Sequence, residues 1–117
     1  MNPEVFAAWL NPLAAPQRVR AVTLIYSWLT VGTRQLFLPD MTKGKDQTTI
    51  INMLHGINEL HHTLANWLLD CATDESKAFP VHDLGQELRE IAKQYRLEGL
   101  LTSAVEFART RKSMAKQ

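Results

Sequence analysis

His55, Glu59 and His62 stand at i, i+4 and i+7, a spacing that places all three on one face of a helix. Two imidazoles and a carboxylate are ligands for a divalent ion such as zinc, which makes this trio the candidate metal set. A structural site needs a fourth ligand, and His82 in the next segment is the candidate for it. The competing reading is an exposed polar face carrying a His–Glu pair, and the expectation is that neither a metal nor a cofactor is bound. The single cysteine, Cys71, closes no intrachain disulfide and builds no multi-cysteine site. On the apolar side of a helix its thiol is expected to be inert. No glycine falls in a dinucleotide fingerprint, and Gly44-Lys45 lacks the upstream glycine of a phosphate loop. Neither a Gly-x-Ser-x-Gly elbow nor a His-Glu-x-x-His helix occurs. These gaps point away from nucleotide binding by those routes and from hydrolase chemistry.

His61 occupies a position where the apolar pattern accepts leucine, so it is expected to be held against other residues, where burial favours the neutral ring. Glu59-Leu60-His61-His62, followed by Leu64, Asn66 and Leu68, resembles the phosphoacceptor helix of some sensor histidine kinases. That helix reads Glu-apolar-His-His with an asparagine four residues on. The resemblance implies helical hairpins that pair into a four-helix bundle. It also implies that His61 accepts a phosphoryl group on a ring nitrogen, with Glu59 or His62 assisting as a base. Thr63, Ala65 and Trp67 stand where the family has polar or basic residues. The chain carries no ATP-binding domain, so phosphotransfer is the most that the resemblance implies. A phosphoacceptor has to be reached by its partner, whereas the helical phase turns His61 inward.

Ile91, Ala92, Tyr95, Leu97 and Val105 are similar to the apolar positions of a DNA-binding helix-turn-helix, which would make residues 98–111 the recognition helix. Arg96 stands at the turn position that usually holds glycine, and Thr102 replaces an apolar residue that locks the two helices. The recognition helix would begin with Glu98 and have no cation before Arg109, although phosphate and guanine contacts need Arg or Lys. Binding would rest on Thr102, Ser103 and the basic tail of Arg109, Arg111, Lys112 and Lys116. The same cations favour the dipole of their own helix.

The elements that must position these residues are punctuated by proline. Asn2-Pro3 is a cap followed by a residue preset for the first helical turn, and it introduces Val5, Phe6, Trp9 and Leu10. Asn11-Pro12 ends that helix. Pro16 opens the next, with Val22, Ile25, Leu29 and Leu36 on one seam and Leu24, Trp28 and Val31 beside it. Residues 21–31 are rich in β-branched side chains, but no partner strand is evident, so a helix is expected there. Residues 38–47 read as a polar loop. Residues 48–71 form a long helix whose seam is Ile50, Leu54, Ile57, His61, Leu64, Leu68 and Cys71, flanked by Met53, Leu60 and Trp67. After the polar stretch 73–77, Pro80 restarts the chain, and Leu84, Leu88, Ile91 and Tyr95 make the next buried stripe. The stripe then changes phase to Leu97, Leu101, Ala104 and Ala108, predicting a bend or break at residues 96–99.

These elements predict an all-α bundle of four to five helices, with residues 1–117 as one helical domain. With 117 residues, 45% hydrophobic and net charge +1, the chain has the material for a core and lacks the composition of a disordered segment. Its charge is uneven, with net values of +3, −6 and +4 over residues 1–45, 46–108 and 109–117. The longest uncharged stretch, residues 21–33, falls short of the roughly 20 residues a membrane span needs. Glu4, Pro12 and Pro16 argue against a secretory signal, so the cytoplasm is the expected location. In a core this small, a helix with two apolar faces tends to find a partner in another chain, and tryptophan is favoured at such contacts. Trp9, Trp28, Leu24 and Val31 are the expected interface residues. The leading expectation is a non-enzymatic helical protein–protein interaction module, homo-oligomeric. Histidine phosphotransfer through His61 and DNA binding are the alternatives.

Overall fold

The computed structural model describes residues 1–36 and 43–115. Five α-helices and one turn of 3-10 helix make up the described chain, with no strand among the described residues. The all-α bundle expected from the sequence is the architecture observed. Helix α1 spans Pro3–Leu10, with the Asn2 Oδ1 accepting from the backbone N–H of Glu4 at 2.8 Å and of Val5 at 3.4 Å. Helix α2 spans Ala15–Leu36. Its β-branched threonines are accommodated because the Thr23 and Thr30 hydroxyls donate to the carbonyls of Val19 and Tyr26, four residues back. Residues 38–42 of the expected 38–47 loop lie outside the described residues, as does the side chain of Leu36 on the α2 seam. Helix α3 spans Gln47–Thr73. Asp46 caps it by accepting from the Thr49 N–H at 2.7 Å, and the backbone and hydroxyl bonds from Thr49 hold its carboxyl below the usual carboxylate value.

Helix α4 spans Val81–Gln94 and helix α5 spans Glu98–Ala115. The expected break falls between them. Arg96 has φ 58°, and the Leu97 N–H reaches back to the Ala92 carbonyl at 2.7 Å. That is a Schellman closure, which needs a left-handed residue and normally uses glycine. Buried Leu97 and Ala92 supply the accompanying apolar contact.

Around the bundle, α2 packs between α3 and α5, α4 packs on α3, and α1 lies across α4. Phe6, Leu10, Val22, Ile25, Leu29, Ile57, Leu60, Leu64, Leu84, Leu88 and Leu101 form the fully enclosed centre. Trp67 joins them, its indole N–H donating to the Phe79 carbonyl at 2.9 Å. Two glycines lie where a neighbour leaves no room for a side chain. A Cβ on Gly56 would lie 2.5 Å from the Tyr95 Cβ, and one on Gly85 would lie 2.8 Å from the Phe6 ring.

The seam of α3 is rotated from the expected one. Ile57, Leu60, Leu64 and Trp67 are buried with Gly56 and Thr63, whereas Leu54 is 37% exposed. Ile50, His61, Leu68 and Cys71 are only half-buried. The reason is α4, which closes on the Gly56–Thr63 side and draws the centre of the stripe toward the residues expected only to flank it. A reading of large apolar side chains gives a glycine no weight, although its missing side chain is what admits the neighbour.

Candidate functional site

Helix α3 carries four of the residues singled out for chemistry, and the fold distributes them to two sides. One residue advances about 100° around an α-helix, so Glu59 and His61, two apart, point in nearly opposite directions. His61 turns toward α2. Its ring centroid lies 4.6 Å from that of Tyr26 at an interplanar angle of 42°, and its Nε2 is 3.4 Å from the Thr30 Oγ1. The Thr30 hydroxyl donates to the Tyr26 carbonyl at 3.1 Å, which leaves its oxygen open to accept from His61 in the Nε2–H tautomer. Burial pushes the imidazole below its ordinary value, and a hydrogen bond with the Tyr26 backbone opposes that shift in part.

Glu59 turns toward α4, where its Oε1 accepts from the Tyr95 hydroxyl at 3.1 Å. That hydrogen bond, with burial and the charge of Glu59, raises the phenol above its usual value. Glu59 is therefore held away from His61, and the acid–base assistance that the histidine kinase resemblance implies has no geometry here. His62 is exposed and lines the same groove as Glu59 and Tyr95.

His55, Glu59 and His62 do share one feature, a shallow groove of about 570 Å³ between α3 and α4, lined also by Asn58, Thr63, Glu87, Ile91 and Tyr95. They do not converge as ligands. Seven residues of helix separate His55 from His62 by about 10 Å along the axis, whereas zinc–nitrogen bonds are about 2 Å long. Among the described residues, no three His, Cys, Asp or Glu side chains gather closely enough to hold a metal ion. His82 lies instead 3.6 Å from its neighbour Asp83. The sequence marks Tyr95 only as an apolar-stripe position, and nothing local shows that α4 brings Glu87 and Tyr95 beside Glu59. A second groove, of about 610 Å³, lies past Tyr95 and is lined by Lys45, Thr49, Asn52, Met53, Gln94 and Arg96.

The four expected interface residues do not make one patch. Trp28 stacks on Phe107 of α5 at 4.8 Å and 21°, and its indole N–H is buried with no hydrogen-bond partner. Trp9 meets Phe6 edge-on at 6.0 Å, with the Arg109 guanidinium 6.0 Å from its ring. Phe107 and Arg109 are two residues apart and project from opposite flanks of α5, so the two tryptophans lie on different sides of that helix. Leu24 is partly buried and Val31 is 48% exposed. Helix α2 packs against α3 on one side and α5 on the other. Large apolar side chains remain exposed elsewhere, namely Val5, Ile51, Leu54 and Leu69, the last at 64%.

Around the α4–α5 turn, Ala92, Leu97 and Val105 are buried and Ile91 and Tyr95 are half-buried. Of the basic tail, Arg109 lies 3.7 Å from Glu106 and Arg111 is exposed. The side chains of Lys112 and Lys116 are outside the described residues. Among the described residues, no helix is long and apolar enough to cross a membrane. No protein-family model matches the chain, and no curated protein or solved structure shows a significant match to it.

Proposed function

We propose that the protein is a non-enzymatic helical interaction module that works by associating with copies of itself in the cytoplasm. The observation that carries this reading is the set of large apolar side chains left exposed on a bundle whose centre is already full. Ile51, Leu54 and Leu69 lie on α3, with Val31 on α2 and Val5 on α1, and all are at least 37% exposed. Contiguous exposed apolar area is a signature of a contact surface, and Ile51 and Leu54, three residues apart on α3, adjoin. The side chains that resemble catalytic groups support the same reading. The carboxylate and imidazole that a phosphotransfer step needs together are turned to opposite sides of α3. Size-exclusion chromatography with light scattering over a range of concentrations tests the proposal. A species heavier than 13.3 kDa that grows with concentration is expected, and a strict monomer throughout overturns it. Adding duplex DNA at low salt tests the alternative contact through the basic tail, for which affinity must fall steeply with ionic strength.

A further inference from the structure

Arg96 breaks the local rule of the turn it makes. It takes up φ 58° at the position that closes α4, where glycine costs least. It is exposed, and among the described residues it enters no ion pair. A side chain that costs the fold stability and gains no partner within it points to a role outside the fold's own cohesion.

The groove of about 610 Å³ past Tyr95 gives it one. Lys45, in the segment leading into α3, lines the same groove and brings a second cation from a distant part of the chain. Asn52 and Gln94 add amides and Thr49 a hydroxyl, all able to donate hydrogen bonds. Among the described residues no carboxylate lines it. Asp46, next to Lys45 in the chain, is engaged at the start of α3, where it accepts from the Thr49 N–H at 2.7 Å. The Tyr95 ring lines this groove and the neighbouring one, and its hydroxyl is held by Glu59 at 3.1 Å, so it forms a fixed wall between them. The neighbouring groove carries Glu59 and Glu87, which repel an anion. Two grooves side by side therefore differ in sign, and only one of them suits negative charge.

We infer that the groove of Lys45, Asn52, Gln94 and Arg96 binds the phosphate group of a small molecule. The planar guanidinium of Arg96 matches two phosphate oxygens at once, and the Lys45 ammonium adds a compact charge. The volume falls within the roughly 300–1,000 Å³ of small-molecule sites. A nucleic-acid strand is the less fitting occupant, because its backbone needs a row of cations and the groove offers two. The site is independent of the self-association proposed above.

Titration of the full chain with pyrophosphate and with AMP, followed by the side-chain and backbone NMR signals of Asn52, Gln94 and Arg96, tests the inference at about 150 mM salt, where weak surface attraction is screened. Saturable shifts confined to the groove, with Kd below about 1 mM for at least one probe, are expected. Tighter pyrophosphate assigns an inorganic ligand, and tighter AMP an organic phosphate lying against the Tyr95 ring. Lys45→Gln and Arg96→Gly should each weaken binding about tenfold, the loss of one charge-assisted contact. Arg96→Gly also separates binding from folding, because it is expected to raise Tm while it loses the ligand. No saturable shift by about 10 mM of either probe overturns the inference, as does wild-type affinity in either variant. Shifts centred on Arg109 and Arg111 would move the anion to the basic tail. Binding of a single-stranded oligonucleotide in the groove without binding of AMP or pyrophosphate would replace the small molecule by nucleic acid. Either result overturns the site as proposed.

Discussion

Replacing Gly56 with alanine adds one methyl group where α3 meets Tyr95 and Leu97, at the C-terminal end of α4. That carbon would lie 2.5 Å from the Tyr95 Cβ, 2.6 Å from a Leu97 methyl and 2.7 Å from the Tyr95 Cγ. Tyr95 Cβ is fixed to the main chain and no rotamer change moves it, so the helices themselves must separate. Overpacking of this kind costs about 1–3 kcal/mol. Alanine returns about 1 kcal/mol of helix propensity. The rigid neighbour puts the cost at the upper end, leaving a net loss of about 1–2 kcal/mol and a Tm lower by roughly 3–8 °C. Gly99→Ala is the internal control, because nothing lies within 4 Å of its added carbon. There the propensity gain alone remains, and Tm should rise by about 2–4 °C. Thermal and urea unfolding of both variants measure the difference in sign. Ultraviolet titration of tyrosine gives a second readout, since displacing α4 breaks the Tyr95–Glu59 bond and removes the main cause of the raised phenol value. Equal stabilisation by the two substitutions would show that α4 does not close on α3 at Gly56, and the rotated seam would lose its explanation.

Leu64 is fully buried, so Leu64→Ala should cost about 2–5 kcal/mol in urea unfolding. His62→Ala, two residues away on the exposed face, should be nearly silent, and equal small effects would place both on the surface. Arg96→Gly relieves a left-handed residue at φ 58° and should stabilise by about 0.5–1 kcal/mol; a loss instead would mean that the guanidinium holds the turn. Because burial lowers the His61 value in the folded state, protonation favours the unfolded chain. Stability from this group is complete above the ordinary imidazole pKa near 6.5 and falls away as pH drops through the lower folded value. Denaturation midpoints followed from neutral to mildly acidic pH should show this decline, and His61→Gln should flatten it. A slope unchanged by the substitution would assign it to other groups.

Local chemistry was enough to define the helices. Asn2-Pro3, Pro16 and Pro80 mark starts because proline has no N–H to lose in a first turn. The phase change after Tyr95 marks the α4–α5 break because one helix cannot present two misaligned stripes to the same core. Arg96 shows where such reasoning thins: its left-handed conformation follows from the need to close α4 with Leu97 buried, and arginine itself carries no signal for it. Asp46 was legible in principle, as a capping residue three positions before Thr49, yet it was submerged in a polar loop.

Partnerships between helices were decided by the tertiary structure alone. Spacing within α3 shows that His55, Glu59 and His62 share a face, but only the packing of α4 turns Glu59 to Tyr95, and only α2 gives His61 the Tyr26 ring and the Thr30 hydroxyl. For the same reason, the intrachain neighbours of Trp28 and Trp9, Phe107 for the one and Phe6 and Arg109 for the other, are visible only in the structure. Helical periodicity is a property of neighbours three and four residues apart, and it is written in the sequence. Which face meets which neighbour depends on residues tens of positions away and on where a missing side chain, as at Gly56, lets two backbones approach.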